Sequence, residues 1–476
     1  MNSVPSRDLS RLGRVRSVAV GLFVAGLVAA CSVAELPSSS AGPTTSPGPS
    51  ATASPASSPS ASAATASATA SASIGPVPSG AWTGITWIDE QAAFPQTPVP
   101  ATTDGTAGVG VFGWSGGYVG FRTASDITID TTSGKMNVAV AMVSTSSPDG
   151  AHWTSGQAMD IKGLTDAVYV DKVIEGPSGL LAVGRYGRAA CGGPSTVNAL
   201  WTSTDGQTWT RATPSSDFAT ARVYTIDGDS DGFVATGALK DGATQAIWLS
   251  TDGVSWRRVA VPTVTTGTFV LDGATAFASG YVVAGAVLGD EGCGGPSQLT
   301  PSLWWSATGT GWSRVKLPGA TPANDAAMAV TRVSDHALMA IATVWDSGAT
   351  ASPESRRPGG LRSGISGEWQ EIAHPTQTVW VSSNGQDWKL VQSPSSMLND
   401  GVMTDGRRGL VAETPDGGVG GKIATVGDDL GVTVLTESGA VPDALSGYWT
   451  YGLGPNGVVC VLSDGTDLRV GRPAVS

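Results

Sequence analysis

The sequence predicts an all-β fold, a seven-bladed β-propeller, from three repeated features. A Ser-x-Asp-Gly-x-x-Trp turn recurs along the chain, an apolar strand pattern recurs upstream of it, and the interval between recurrences suits a four-stranded sheet. The chain has 476 residues, of which 64 are glycine and only 14% are charged. Four-stranded sheets repeated at this interval stack radially and hide their edges. A six-bladed ring is the alternative that the same pattern allows.

The clearest repeat is the turn, in which Asp-Gly or Asn-Gly supplies the positive φ that tight hairpin turns need. The Asp side chain accepts hydrogen bonds from turn amides, and residues two apart share one face of a strand. Each copy therefore predicts a strand, a turn and a returning strand, with its residues in structural roles. The copies contain Ser147, Asp149, Gly150 and Trp153; Ser203, Asp205, Gly206 and Trp209; Ser250, Asp252, Gly253 and Trp256; Ser306 and Trp312, with Thr308 in place of the acid; and Ser382, Asn384, Gly385 and Trp388.

An apolar strand pattern recurs seven times upstream of or beside these turns, at intervals of 48 to 72 residues. Its copies begin at Gly117, Gly179, Gly232, Gly280, Ala337, Gly409 and Gly457. Two such upstream strands and the two strands of the turn make one four-stranded unit. The last unit offers three strands at most, and residues 81–90, AWTGITWIDE, resemble an isolated fourth strand. We expect this segment to complete the last blade beside the C-terminal strands.

On a propeller hairpin, the turn resembles the Asp-box, or BNR, repeat of sialidases and their non-enzymatic relatives. The resemblance covers roughly residues 81–476. It implies that the turn is a folding device on the face opposite the binding site.

Sialidase chemistry requires an arginine trio, a tyrosine nucleophile with a glutamate partner, and an acidic proton donor. The stretch 121–124, Phe-Arg-Thr-Ala, matches the family's Phe-Arg-Ile-Pro motif only in part. No flanking motif selects Tyr448 or Tyr451 as a nucleophile. The sequence therefore assigns no catalytic residue, and a sialidase-type exo-glycoside hydrolase is the alternative to a non-catalytic relative.

The N-terminus predicts export. Arginines precede an apolar run at 18–30 that is shorter than the ~20 residues needed to span a bilayer. The run ends in Val-Ala-Ala-Cys, which resembles a bacterial lipobox and implies a signal peptide at 1–30 and a lipid on Cys31. An ordinary secretory signal followed by a chance cysteine is the alternative.

Three domains follow from this organisation. After the signal peptide, residues 31–80 hold the lipidated cysteine and a linker rich in Ser, Ala, Thr and Pro, which we expect to be disordered. The propeller spans 81–476, and the expected location is the extracytoplasmic face of the cell membrane. Together with the turn motif, these features resemble bacterial sialidase-like lipoproteins.

The charge balance disfavours nucleic acid as a partner. The formal net charge is −12, and no basic run occurs. Such a surface repels nucleic acid and anionic lipid unless positive charge is concentrated locally. We therefore expect contact with the membrane through the lipid anchor alone.

The middle loops of the blades and the connectors between blades should share the face opposite the turns, where a rigid scaffold presents binding residues. The candidates for ligand binding are the charged residues of the longest loops. They are Arg185, Arg188, Asp290, Glu291, Arg356, Arg357 and Arg362. A solvated surface loop without a binding role is the alternative.

The cysteines allow one disulfide bond. The sequence CGGPS occurs twice, at 191–195 and 293–297, and an exported chain permits a bond between Cys191 and Cys293. That bond requires the two Cα atoms to approach within ~7 Å, and two free thiols are the alternative. Cys460 lies in an apolar strand and is expected to be a buried thiol.

No metal or cofactor is expected. The three histidines are scattered, and the acidic turn that starts at Asp227 has Ala238 where a calcium loop has its closing glutamate. The predicted function is that of a lipid-anchored, non-catalytic module that binds a glycan, a small molecule or an envelope protein. An envelope assembly factor is a second alternative, beside the glycoside hydrolase.

Overall fold

β-Strands form the regular structure, apart from one 3₁₀ helix at Ser216–Thr220 in the part of the chain described. The structure, a computed structural model, describes residues 82–89, 94, 107–130, 135–164, 168–186, 197–214, 216–277, 280–289, 298–323, 325–334, 336–345, 376–391, 410–413, 422–426, 429–439, 449–462 and 467–475. The predicted signal peptide, Cys31 and the linker lie outside these residues. Within them, no helix is long and apolar enough to cross a membrane.

The first described strand, β1 (Trp82–Asp89), is followed by five sheets that each have four strands in simple antiparallel order. Blade 1 contains β2 (Ala107–Trp114), β3 (Gly117–Asp130), β4 (Lys135–Ser147) and β5 (Thr154–Ala158). Blade 2 contains β6 (Val168–Gly176), β7 (Gly179–Tyr186), β8 (Val197–Ser203) and β9 (Thr210–Ala212). Blade 3 contains β10 (Arg222–Asp229), β11 (Gly232–Ala238), β12 (Gln245–Ser250) and β13 (Arg257–Val259). Blade 4 contains β14 (Thr268–Phe277), β15 (Gly280–Leu288), β16 (Leu299–Ser306) and β17 (Ser313–Val315). Blade 5 contains β18 (Asp325–Ser334), β19 (Ala337–Trp345), β20 (Thr376–Ser382) and β21 (Lys389–Val391).

Two further sheets follow. One has three strands, β22 (Leu410–Glu413), β23 (Lys422–Val426) and β24 (Val432–Val434). The other has five, made from β25 (Thr436–Gly439), β26 (Trp449–Gly454), β27 (Gly457–Leu462), β28 (Leu468–Val475) and β1. Its order is β25-β1-β28-β27-β26, so the N-terminal strand completes the C-terminal sheet, as the sequence predicted.

Contacts between sheets run around a ring. The inner strand of each blade contacts that of the next, from β2 through β6, β10, β14 and β18, and β18 contacts β22. At the other end β2 contacts β26 of the five-stranded sheet. The fold is therefore a β-propeller, as predicted.

The blade count depends on the last two sheets. Only Leu435 separates β24 from β25, so one extended segment pairs with β23 at its start and with β1 at its end. This segment joins the three-stranded sheet to the closing sheet. The three-stranded sheet and the closing sheet together form one blade. With the five four-stranded blades, they make a six-bladed propeller, the alternative that the sequence allowed. The three-stranded sheet, which the sequence predicted as a separate blade, is therefore part of the sixth blade.

The apolar core lies between neighbouring sheets. Blades 2 and 3, for example, share one cluster that includes Leu181, Phe233 and Trp248, each 0 to 1% exposed. Because both faces of a blade are covered, β11 is buried at all seven positions. This double burial explains why the second strands read as continuous apolar runs rather than alternating patterns.

Candidate functional site

Four of the five turn motifs are networks of hydrogen bonds closed within the turn, as the copy at 203–209 illustrates. Ser203 Oγ accepts the Gly206 N–H at 2.9 Å and donates to Asp205 Oδ1 at 3.1 Å. The same Asp205 oxygen accepts the N–H groups of the next two residues after Gly206, at 2.9 and 2.8 Å. Trp209 Nε1 donates to the Gly206 carbonyl at 3.2 Å. In this copy the serine hydroxyl, one carboxylate oxygen and the indole N–H all bond within the turn.

Natural variation along the chain shows which groups the turn requires. Asn384 Oδ1 accepts both backbone N–H groups at 2.8 Å, so an amide oxygen replaces the carboxylate. Where Thr308 replaces the acid, Ser306 Oγ still accepts the Gly309 N–H at 2.9 Å. The indole of Trp312 then donates to the Ala260 carbonyl, outside its own turn, at 2.7 Å.

The motif glycines also allow each turn to pack closely against the preceding blade. Gly253 has a φ of 72° and Gly309 a φ of 72°, which L side chains rarely adopt. A β-carbon at Gly253 would lie 2.9 Å from Leu181 of blade 2, and one at Gly309 would lie 2.4 Å from Leu249 of blade 3. The turns therefore join blades as well as strands.

Topology places the turns away from the middle loops. In a four-stranded antiparallel sheet the first and third connections lie at one end, and the second lies at the other. The motif is the third connection of its blade, so it shares a turn face with the first hairpins. The middle loops and the connectors between blades share the opposite face, here called the loop face.

Three consecutive inner strands are bulged at one height in the ring. The register skips Asp171 in β6, Tyr224 in β10 and Asp272 in β14. Each bulged residue stands five positions before the end of its strand. A bulge interrupts the ladder and redirects a side chain, and bulges are frequent beside functional sites.

Polar side chains cross between blades at these bulges. Arg185 in β7, 9% exposed, donates its Nε to Asp171 Oδ2 at 2.6 Å and an Nη to the Tyr224 carbonyl at 2.6 Å. Blades 2 and 3 are joined again by Lys172 Nζ, which lies 2.6 Å from Asp227 Oδ1. Sequence patterns do not predict this network, because a bulge has no residue signature and the members of the network are far apart in the chain.

The next pair of blades repeats the arrangement with other groups. Asp272 Oδ2 accepts the N–H of Met328 in blade 5 at 2.9 Å, and Asp272 is 7% exposed. Gln245 in blade 3 donates to the Phe269 carbonyl at 2.9 Å and accepts the Leu271 N–H at 2.8 Å in blade 4. The inner wall of blades 2 to 5 is therefore fixed by polar contacts from one blade to its neighbour.

Of the residues proposed for ligand binding, the structure describes only Arg185. It lies in a strand beside the loop face rather than in the loop itself, and it is held by its partners in the ring. The remaining candidates and both cysteines of the proposed disulfide lie outside the described residues. These are Arg188, Asp290, Glu291, Arg356, Arg357, Arg362, Cys191 and Cys293. Their roles stay predictions.

A small open pocket of about 210 Å³ lies on the turn face between blades 3 and 4. Asp229, Asp231 and Tyr281 line it together with the backbone at Gly280 and Ala307. Burial raises the pKa of Asp229 above its ordinary value, although the Asp231 N–H, which donates to Asp229 Oδ1 at 2.9 Å, opposes the shift. Burial and the two carboxylates also raise the pKa of Tyr281.

Other predicted features take structural positions. Cys460 is a buried free thiol, as expected, and burial raises its pKa well above the ordinary value. Tyr451 pairs with Cys460 across β26 and β27 and packs in the same apolar cluster. Arg122 lies in β3 opposite Val109 and Val143. Among the described residues, no group of three His, Cys, Asp or Glu side chains is arranged to hold a metal ion.

No family model and no curated protein matches the chain. Solved structures with a similar fold do exist. The β-propeller domain of the Trilobed protease from Pyrococcus furiosus has 7% identity and a TM-score of 0.39, over 78% of this chain and 93% of that one. A family 93 α-L-arabinofuranosidase of Fusarium graminearum has 11% identity and a TM-score of 0.29, over 83% and 98% of the two chains. An exo-β-1,3-galactanase from Clostridium thermocellum has 12% identity and a TM-score of 0.29, over 82% and 87%.

These neighbours are a propeller domain and glycoside hydrolases. With TM-scores below 0.5 and identities of 7 to 12%, the likeness carries no information on the activity of this chain.

Proposed function

We propose that the protein is an exported, lipid-anchored β-propeller that binds a ligand or a protein through its loop face, without catalysis. A glycan is the ligand class tested first. The loops of blades 2, 4 and 5 supply the charged contacts, and the turn motifs with the polar inner wall supply the rigid support.

The observation that supports this proposal is the use of the charged groups on the inner wall. Arg185, Lys172 and Asp272 each contact the next blade at 2.6 to 2.9 Å. A side chain that bonds to a polar group of the next blade in this way supports the scaffold, because removing it leaves its partner without that bond. Recognition then falls to residues beyond the strands, at the loop face.

The test uses the full chain with Cys31→Ser, applied to an array of immobilised sialylated and neutral oligosaccharides. The variant Arg356→Gln/Arg357→Gln/Arg362→Gln should weaken binding by about tenfold, since three contacts at a few-fold each are removed. The control variant Arg211→Gln/Arg258→Gln/Arg314→Gln removes the same number of positive charges from the outermost strands β9, β13 and β17. It should leave binding to neutral glycans unaltered. Equal loss in both variants, or binding to no glycan, contradicts glycan binding by these loops.

Hydrolysis is measured in parallel, with a fluorogenic sialoside and neutral aryl glycosides. We expect no turnover of either. Turnover of the sialoside that disappears in Tyr448→Phe or Tyr451→Phe favours the sialidase-type alternative instead.

A further inference from the structure

The outermost strands of blades 2 to 5 share a composition that is not visible along the sequence. β9, β13, β17 and β21 have three residues each, and together they contain five basic residues and no acidic one. The whole chain has only 27 Lys and Arg in 476 residues, and its net charge is −12. With Lys316, which follows β17 directly, these residues form a set here called the basic arc. It contains Arg211, Arg257, Arg258, Arg314, Lys316 and Lys389.

The repeat itself sets the positions of the arc. In blades 2, 3 and 4 the middle residue of the outer strand is arginine, and it stands opposite the tryptophan that lies two positions before the serine of the turn motif. The register pairs are Arg211 with Trp201, Arg258 with Trp248, and Arg314 with Trp304. Because the register is the same in each blade, the three guanidinium groups lie at one height on the rim. Basic residues some 50 positions apart in the chain thus become neighbours around the ring.

The positive charge of the arc is largely uncompensated. Arg211 donates to the Lys162 carbonyl at 2.5 Å, and Arg314 donates to Ser302 Oγ at 2.9 Å; both acceptors are neutral. Within the described residues, only Arg258 of the arc has a carboxylate within 4.0 Å, that of Asp217 at 3.4 Å. Their side chains are 50% and 38% exposed, so solvent screens this pair.

In blades 2 and 3 the acids of the turn motifs lie five or six positions before the arc arginines, and in blade 5 Asp387 lies two positions before Lys389. Asp205 and Asp252 each accept two turn N–H groups, which partly offset their charge. In blade 4 the acid is replaced by Thr308, so Arg314 and Lys316 have no such neighbour in their own turn.

Charged edge strands also prevent edge-to-edge aggregation, and residues of either sign serve that purpose. A single sign on four successive edges of an acidic chain exceeds what edge protection requires. Locally concentrated positive charge attracts polyanions even when the net charge is negative. The rim of a propeller is convex, so a flexible chain follows four blades where a flat bilayer touches only part of them.

We propose that the basic arc binds a flexible polyanionic polysaccharide, one that bears carboxylate, sulfate or phosphate groups along its length. The polymer lies along the rim and contacts the arginines of successive blades. This site is separate from the loop face, and it leaves that face open for a second ligand.

The experiment measures affinity of the full chain with Cys31→Ser for dextran sulfate, with neutral dextran as the matched polymer, at several salt concentrations. The protein with an unchanged arc should bind dextran sulfate, with an affinity that falls steeply as the salt concentration rises. It should not bind dextran through the arc. Arg211→Gln/Arg258→Gln/Arg314→Gln should lower the affinity about tenfold, since exposed charge contacts contribute a factor of about two to five each. Arg211→Lys/Arg258→Lys/Arg314→Lys retains the charge and should retain most of the binding, which separates charge loss from misfolding.

Two controls decide the assignment. The variant Arg222→Gln/Lys240→Gln removes two exposed positive charges that belong neither to the arc nor to the loops of blades 2, 4 and 5, and it should bind dextran sulfate as the parent does. Equal binding by the parent and the arc variant overturns the proposal. Binding to phosphatidylglycerol vesicles or single-stranded DNA that matches dextran sulfate and depends on the arc overturns the choice of a polysaccharide.

Discussion

At Asp252, one carboxylate oxygen organises a whole turn. Oδ1 accepts the N–H groups of Val254 and Ser255 at 2.8 and 2.6 Å and the Ser250 hydroxyl at 2.9 Å. Partial burial raises the pKa of this carboxyl, but these donors outweigh burial and lower the pKa from 3.8 to about 2. The folded pKa lies below the unfolded one. The stability that ionisation contributes is therefore present above pH ~4 and is lost as the pH falls through about 2.

Asp252→Asn should lower the free energy of unfolding by less than about 1 kcal/mol at pH 7, because an amide oxygen still accepts both N–H groups, as Asn384 does. Asp252→Ala leaves those groups without the side-chain acceptor and should cost about 1–3 kcal/mol. Urea unfolding at pH 7, 4 and 2.5 measures both. The difference in free energy of unfolding between wild type and Asp252→Asn should be smaller at pH 2.5 than at pH 7. A difference that does not change with pH contradicts the role given to the charge.

Residues of the turn motif were open to prediction because their chemistry is local. An acid followed by glycine determines a turn from its own few residues, and the tryptophan spacing identifies the flanking strands. Asp171, Tyr224 and Asp272 occupy equivalent bulges but differ in type, so no pattern links them. Their partners, such as Arg185, come from another strand and were visible only as loop charges.

Among the elements, β1 is bonded on both edges by strands from the opposite end of the chain. It pairs antiparallel with β28 through seven register positions and parallel with β25 through four. Trp82, Ile85 and Trp87 are 1 to 6% exposed, and Trp87 Nε1 donates to Glu437 Oε2 at 2.8 Å. β1 therefore links β25 to the other strands of the closing sheet.

Deleting residues 81–90 should expose the edges of β25 and β28 and promote aggregation. The three buried side chains alone contribute about 1.5–3 kcal/mol each, so the melting temperature should fall sharply. Deleting the longer segment 38–73, within the predicted linker, should leave the melting temperature nearly unchanged. Scanning fluorimetry and size-exclusion chromatography compare the two deletions, and similar behaviour of both refutes the closing role of β1.

The closing strand was predictable from its resemblance to other outer strands, but its second neighbour was not. β24 and β25 are three and four residues long, and neither has the turn motif beside it. The parallel pairing of β25 with β1 joins segments from opposite ends of the chain. No local pattern specifies such a pairing, which is why the sequence predicted seven independent blades.

Two properties belong to the whole molecule: the distribution of its charge and its predicted attachment to the membrane. The net charge of the chain is negative, yet the outer strands of blades 2 to 5 form a basic rim. The fold brings these basic residues together, and composition alone does not predict it. Where the ring operates in the cell depends on Cys31, whose lipidation remains a prediction.

Cys31→Ser should move the protein from the membrane fraction to the soluble fraction, because the sulfur that would carry the lipid is removed. Ser32→Ala, at the next position, keeps the sulfur and should remain with the membrane. Fractionation by ultracentrifugation, with labelling by a palmitate analogue, measures both variants. Membrane association of Cys31→Ser that equals wild type removes the lipoprotein assignment.

The position of β1 also determines the order of folding events. Thr83 and Ala474, joined by a 3.1 Å hydrogen bond, stand 391 positions apart. Each of the five regular blades assembles from strands that are near one another in the chain, whereas the closing sheet must first join the ends of this long loop, at an entropic cost that grows with its length. Contacts so distant in sequence form slowly. We therefore expect β1, although it leaves the ribosome before the blades, to be among the last strands to pair, and we expect the ring to close only after β28 is complete.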